Sequence, residues 1–139
     1  MPTGEHLPPS AHRFLFWVYP EAMNAEWVRS CCKAFPHVTE HVQWGNDLVF
    51  KIGGKMFAVA ALEPAENWVS FKTNPNAFAE LVERVGIVPA PYLARAHWVA
   101  LQGRNAMPLN EVRDRLREAY ELVLSKLPKK SRAALTTGD

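Results

Sequence analysis

Hydrophobic and polar positions alternate most clearly between residues 42 and 62. Large apolar side chains occupy every second position over residues 48–52, which places them on one face of an extended chain. A second apolar run follows at residues 56–59, and Gly53-Gly54 between the two runs suits the positive φ angles of a tight turn. This pattern predicts an antiparallel hairpin.

Two further segments have the length and alternation of strands. Residues 68–72 place Val69 and Phe71 on one face, and residues 97–101 form an apolar run that ends before Gly103. Residues 89–92 contain two prolines, which lack the N–H that a central strand needs. We therefore predict a third and a fourth strand and exclude residues 89–92 from the middle of the sheet.

Three segments show the spacing of amphipathic helices: residues 25–34, the stretch that follows Pro75, and residues 110–127. Asparagine caps and proline or glycine breakers set their bounds: Asn24 and Pro36 for the first, Asn74-Pro75 and Gly86 for the second, and Pro128 for the third. The third carries Arg113 and Arg117, which we expect on a solvated, salt-bridged face.

The predicted order is helix, three strands, helix, strand, helix, without the strict alternation of a parallel α/β fold. The pattern therefore predicts an α+β protein, with an antiparallel sheet of four or more strands backed on one face by helices. A chain of 139 residues with 48% hydrophobic and 22% charged residues fits one globular domain.

The domain is expected to span residues 23–132. Residues 1–22 hold four of the eleven prolines and follow no period, so we predict a weakly ordered N-terminal extension, or translation that begins upstream of Met23. The alternative is that the aromatic side chains near Phe14 pack onto the domain or onto a partner. Residues 133–139 are expected to form a polar tail.

Neither a membrane span nor a secretory signal is visible. Every apolar run is far shorter than the roughly 20 residues that cross a bilayer, and the run at residues 14–18 is followed by Tyr19-Pro20-Glu21, which is not a small-residue cleavage site. We therefore expect a cytoplasmic protein that does not contact membranes.

Catalytic and metal-binding signatures are weak. Gly53-Gly54-Lys55 joins two strands, unlike a phosphate-binding loop, which leads from a strand into a helix. His37 and His41 fit an exposed loop better than a metal site. The adjacent Cys31 and Cys32 are poorly placed for a disulfide and are expected as reduced thiols. The sequence favours a non-enzymatic protein without a cofactor.

Basic and aromatic residues offer the one candidate site. Ammonium groups from three strands, with two further basic side chains, are predicted to meet aromatic rings on the open sheet face, an arrangement typical of nucleic-acid sites. The alternative is that the lysines only solvate the sheet while the aromatic residues complete the core. The candidates are Lys51, Lys55, Lys72, Arg95, His97, Trp44, Tyr92 and Trp98, with Trp68 as a further possible stacking ring.

The hairpin sequence resembles the YjbR/MmcQ family of small bacterial proteins, above all in Gly53-Gly54-Lys55-Met56-Phe57-Ala58 preceded by Trp44-Gly45. The later landmarks also occur in the family's order over residues 23–132: Val69-Ser70-Phe71-Lys72, Asn74-Pro75, Val88-Pro89-Ala90-Pro91-Tyr92, His97-Trp98-Val99-Ala100-Leu101, Tyr120-Glu121-Leu122-Val123 and Leu127-Pro128.

This resemblance implies a fold similar to the CyaY/frataxin-like arrangement, with a curved antiparallel sheet backed by helices, and it implies a DNA-binding protein. The residues that match the family pattern are Trp44, Lys55, Lys72, Tyr92, His97 and Trp98. The chain departs from the pattern in its residues 1–22 and in Ala119, where many relatives have serine.

Frataxin-like proteins also raise iron binding as a possible function. The first predicted helix offers Glu26 against Arg29 and Lys33, whereas hard cations need clustered carboxylates, so the sequence disfavours iron. The leading hypothesis is a DNA-binding module that uses the basic and aromatic sheet face. The alternative is a protein-interaction or small-ligand-binding module; no sequence feature sets the oligomeric state.

Overall fold

The computed structural model describes residues 20–137 of the chain. Its helices are α1 (Pro20–Lys33), α2 (Pro75–Leu81), α3 (Leu109–Lys126) and α4 (Lys129–Thr137). Its strands are β1 (Thr39–Gln43), β2 (Asp47–Ile52), β3 (Lys55–Ala61), β4 (Asn67–Lys72), β5 (Ile87–Pro89) and β6 (Trp98–Gln102). Two short 3₁₀ helices, Ala94–Ala96 and Arg104–Ala106, flank β6.

The six strands form one sheet in the order β1-β2-β3-β4-β6-β5, and every neighbouring pair is antiparallel. The predicted α+β class with an antiparallel sheet of four or more strands is confirmed. The sheet is extended at both edges by short strands that the sequence pattern did not reveal. Pro89 lies in β5, an edge strand that pairs only with β6. An edge strand tolerates proline because its missing N–H can lie on the side that has no neighbouring strand.

One face of the sheet carries the main hydrophobic core. Apolar side chains of α1, α2 and α3 pack there against alternate residues of the strands. At the centre, Phe57 contacts Phe35 and Tyr120, with ring centroids 6.3 and 5.7 Å away, respectively. The Tyr120 hydroxyl donates a hydrogen bond of 2.9 Å to the Pro36 carbonyl oxygen, which fixes the chain after α1 over the sheet.

A β-bulge in β3 sets which side chains enter this core. Phe50 pairs with Ala58 and Lys51 with Met56, so the register skips Phe57. Phe57 and Ala58 are consequently both buried in the core although they are neighbours in sequence. Met56 instead packs on the opposite face of the sheet.

Several predicted bounds were wrong. α1 begins at Pro20, so Asn24 lies inside the helix and does not cap it. α2 ends at Leu81, well before the predicted breaker Gly86, and Val85 between them is 94% exposed. Residues 39–43 form an edge strand where a loop was expected.

Other bounds agree with the structure. Asn74 caps α2, accepting a hydrogen bond of 2.7 Å from the amide of Ala77, and Gly53-Gly54 forms the predicted hairpin turn. The predicted polar tail overlaps α4, a helix that the pattern did not indicate. Most of the predicted extension 1–22 lies outside the described residues, and its residues 20–22 belong to α1.

Candidate functional site

The sheet face opposite the main core, here called the open face, carries a smaller apolar cluster. Ala90, Trp98 and Ala100 are buried in it, and residues of β3, β5 and the segment 93–96 pack around them. Two concavities border this cluster, and Met56 lines both of them.

The first concavity, here called the basic end, lies where β3 begins and β4 ends. It encloses about 280 Å³. Its lining residues are Lys55, Met56, Lys72, Trp98, Val123, Lys126, Leu127 and Pro128. Three of these carry ammonium groups, each from a different element, and no acidic residue is among the described residues that line it.

Close packing of the hairpin turn brings the third ammonium group to this place. Gly53 has a φ of 61°, and a Cβ atom there would lie 2.5 Å from Leu127 Cδ1. Because glycine has no Cβ, the end of α3 can approach the turn, and Lys126 comes to line the same concavity as Lys55.

Lys72 is the most constrained of the three lysines. Its Nζ donates a hydrogen bond of 2.8 Å to the Ala96 carbonyl oxygen. Partial burial lowers the pKa of Lys72, and the positive charge of Lys126 lowers it further. Both causes disfavour the protonated form of Lys72. An anion bound between Lys72 and Lys126 would reduce the repulsion between their two ammonium groups.

The other predicted site residues are distributed around the basic end and away from it. Lys51 pairs with Met56 in the sheet, which places it beside the concavity, and Arg95 is exposed on the 3₁₀ helix that precedes β6. The His97 ring packs edge-on against Phe78 of α2, with centroids 5.5 Å apart, rather than lining the basic end.

Burial limits what the aromatic candidates can contact. Trp98 is only 3% exposed and serves as the floor of the basic end. Trp68 is buried in the main core, where its Nε1 donates a 2.9 Å hydrogen bond to the Gly103 carbonyl oxygen, so it is not available as a stacking ring. For these two residues, the interpretation that they complete a core fits the structure.

The second concavity, here called the aromatic cavity, lies where β2 begins and β3 ends. It encloses about 740 Å³, and the loop after β5 forms part of its wall. Its lining residues are Trp44, Asp47, Met56, Val59, Ala61, Ala65, Glu66, Asn67, Val69, Ser70, Ala90, Pro91, Tyr92 and Leu93. The structure thus separates Trp44 and Tyr92 from the lysines with which they were grouped.

Trp44 and Tyr92 share two unusual properties. Trp44 is 65% exposed and Tyr92 is fully exposed. Both have left-handed backbone conformations, with φ values of 53° and 65°. A bulky residue in this region costs about 1–3 kcal/mol, and such strain concentrates at functional sites. Two exposed aromatic residues with left-handed backbones therefore border the same cavity.

Replacing Trp44 by asparagine is expected to stabilise the protein relative to the Trp44→Ala variant by about 0.5–1 kcal/mol, because asparagine tolerates the left-handed region better than alanine does. Both variants lose the same indole contacts, so alanine is the matched control. The free energy of unfolding, measured by urea titration, checks this. Equal stabilities would show that the backbone at position 44 relaxes after substitution.

The polar residues of the aromatic cavity differ in how far their side chains are paired. Partial burial raises the pKa of Asp47, and Asp47 forms no ion pair among the residues that the structure describes. The Oδ1 atom of Asn67 is buried without a hydrogen-bond partner. Glu66 accepts a 3.1 Å hydrogen bond from Gln102 Nε2.

Sequence reasoning missed Lys126 at the basic end and Asp47, Glu66 and Asn67 at the aromatic cavity. Lys126 belongs to a visible signal, because residues 108–132 carry seven basic residues against four acidic ones. The polar residues around the aromatic cavity have no such signal, since they come from separate turns and strand ends that only the folded sheet brings together.

The helix arginines are not simply solvated. The guanidinium of Arg113 lies over the Trp27 ring at 5.8 Å and that of Arg117 over the Phe35 ring at 5.6 Å, whereas Arg115 pairs with Glu118. Trp27 belongs to α1 and Phe35 follows it, so both contacts hold α3 against this part of the chain. Arg113 and Arg117 are exposed, as predicted, and neither forms one of the ion pairs found among the described residues.

Cysteine and metal chemistry receive no support from the geometry. Cys31 and Cys32 are free, and burial raises the pKa of both thiols. Within residues 20–137, no three His, Cys, Asp or Glu side chains are grouped so as to hold a metal ion. His41 belongs to β1, and Glu40 beside it is paired with Arg29 at 2.9 Å.

A family model described as YjbR matches residues 33–122, well over half of the chain. The chain belongs to the YjbR family. The match spans β1 to most of α3 and therefore includes every strand, the lining residues of the aromatic cavity and half of those of the basic end. The resemblance that the hairpin motif indicated is confirmed.

Solved structures agree with the YjbR assignment. The Deinococcus radiodurans protein DR2400, described with a domain DUF419, is 28% identical with a TM-score of 0.70, over 81% of this chain and 87% of that one. A Pseudomonas syringae protein, 15% identical with a TM-score of 0.56, shares the fold over 70% of this chain and 96% of its own. No curated protein matches the chain. Among the described residues, no helix has the length and apolar character of a membrane span.

Proposed function

We propose that this YjbR-family protein is a non-enzymatic nucleic-acid-binding module whose basic end contacts backbone phosphates. The observation that carries the proposal is the convergence of Lys55, Lys72 and Lys126 around one concavity without an acidic lining residue among those described. Phosphate contacts supply most of the affinity of proteins that bind DNA without reading its sequence. DNA binding is also what the family resemblance implies.

The neighbouring elements extend the positive charge. Lys129 and Lys130 are exposed at the start of α4, immediately after Pro128 in the wall of the basic end. Lys51 is paired with Met56 of the concavity, and the exposed Arg95 is next in sequence to Ala96, whose carbonyl oxygen accepts a hydrogen bond from Lys72. A strip of positive charge wider than one phosphate suits a nucleic-acid backbone better than a single small anion.

The structure changes how the aromatic residues enter this proposal. Trp98 is too buried to stack on a base, so its role at the basic end is limited to forming part of the wall. Trp44 and Tyr92 line the other concavity, which carries Asp47 and Glu66 and would repel phosphate. The proposed interface is therefore an electrostatic contact, and we expect little discrimination between base sequences.

The test is a fluorescence-anisotropy titration with labelled double- and single-stranded DNA at several salt concentrations. In the Lys55→Gln/Lys126→Gln variant, we expect affinity at low salt to fall about five- to twentyfold and the slope of log affinity against log salt to shrink by about two. Both lysines are exposed, so the substitutions leave the core intact.

Lys33→Glu is the matched control, because it changes the net charge by the same two units at an exposed residue that does not line the basic end. It is expected to lower affinity much less than the double variant. Absence of DNA binding even at low salt, or an equal loss in the control, would refute the proposed interface.

A further inference from the structure

We propose that the aromatic cavity binds a small organic cation, with an ammonium or guanidinium group on an apolar body. Its volume of about 740 Å³ falls within the range of small-molecule sites, roughly 300–1,000 Å³. Such sites combine apolar walls with a few polar groups that set specificity. Here Met56, Val59 and Leu93 supply part of the apolar wall.

The residues that line the aromatic cavity indicate that its ligand is positively charged. Asp47 and Glu66 are acidic, and none of the described residues that line the cavity is basic. Asp47 has no ion-pair partner among the described residues, and partial burial removes some of the hydration of its carboxylate, which raises its pKa. A cation next to Asp47 would replace the lost hydration.

The exposed rings favour a cation over a neutral apolar molecule. Trp44 and Tyr92 come from two different turns and are both lining residues of the cavity. The faces of indole and phenol rings attract ammonium and guanidinium groups, and this is how aromatic cages recognise organic cations. An inorganic cation would instead need several oxygen ligands in close array.

The hydrogen-bonding groups of the wall point to a donor ligand. The carboxylates of Asp47 and Glu66, which line the cavity, accept hydrogen bonds and cannot donate them. A primary ammonium or a guanidinium offers several N–H donors to such a wall.

This site is independent of the proposed nucleic-acid interface. Lys55, Lys72 and Lys126 do not line the aromatic cavity, and Asp47 and Glu66 do not line the basic end. The Lys55→Gln/Lys126→Gln variant should therefore bind an organic cation normally, whatever its affinity for DNA.

The experiment uses two probes of similar size and opposite charge, phenethylammonium and 3-phenylpropanoate. Each is titrated into the full-length ¹⁵N-labelled protein and followed by NMR. Phenethylammonium is expected to shift the Trp44 indole N–H and the Asn67 side-chain amide, and to bind at least about tenfold more tightly than the carboxylate.

Two variants and one control locate the site. Asp47→Asn and Trp44→Ala are each expected to weaken phenethylammonium binding about five- to tenfold. Glu63→Gln removes one negative charge from an exposed residue outside the cavity and should leave binding unchanged. Spectra of the free variants show whether each is folded, and Trp44→Ala serves if Asp47→Asn is not.

Three results would overturn the proposal. The first is no shift of either reporter up to about 10 mM of phenethylammonium. The second is equal binding of the carboxylate, which would indicate a purely apolar cavity. The third is a loss in Glu63→Gln as large as that in Asp47→Asn, which would indicate attraction to the surface as a whole.

Discussion

Replacing Phe57 by alanine should lower the free energy of unfolding by about 3–5 kcal/mol. The side chain has no exposed surface and contacts the rings of Phe35 and Tyr120 at the centre of the main core. Truncation removes these contacts and leaves a cavity between the sheet and two helices, which cannot all collapse to fill it.

Urea denaturation followed by circular dichroism measures the loss. Val85→Ala is the control, because Val85 is 94% exposed and its truncation should change stability by less than about 0.5 kcal/mol. A loss below about 1 kcal/mol for Phe57→Ala would mean that the core relaxes around the missing ring.

The second large effect is expected at Gly86, where alanine should cost about 2–4 kcal/mol. Gly86 has a φ of 88°, and a Cβ atom would lie 2.9 Å from Ala106 Cβ and 3.2 Å from the Gln102 carbonyl oxygen. The Gly86 carbonyl oxygen also accepts a 2.7 Å hydrogen bond from the Gln102 amide, so the backbone cannot easily move away.

Gly54→Ala separates the two causes. Gly54 has a similar φ of 81°, but a Cβ atom there would meet nothing within 4 Å, so alanine should cost only the backbone strain, about 1–2 kcal/mol. Equal losses at the two positions, measured by urea denaturation, would show that the contact with Ala106 contributes nothing.

The Gly86 substitution also bears on the aromatic cavity. Gly86 immediately precedes β5, and β5 leads into residues 90–93, which form one wall of the cavity. A shift of β5 would therefore move Tyr92. We expect Gly86→Ala, unlike Gly54→Ala, to perturb the NMR signals of that wall.

Local chemistry explains why much of the fold could be predicted. The Gly53-Gly54 turn, the Asn74 cap and the apolar spacing of α3 are signals carried by residues close in sequence. β1 escaped detection because its largely exposed residues show little hydrophobic alternation. β5 escaped detection because it has only three residues and ends in a proline. The bulge at Phe57 depends on pairing with β2, a contact between strands rather than a property of β3 alone.

By itself, the sequence determined the α+β class, the central hairpin, the family and the two lysines Lys55 and Lys72 that the basic end uses. Only the tertiary structure decided which of the predicted site residues meet. In the structure, Lys126 lies with those lysines at the basic end, and Trp98 is buried in its wall. Trp44 and Tyr92 instead line a separate cavity with Asp47. The physical reason is that in an antiparallel sheet the end of one strand lies beside the start of its neighbour. Strand order and register therefore decide which residues far apart in sequence become neighbours.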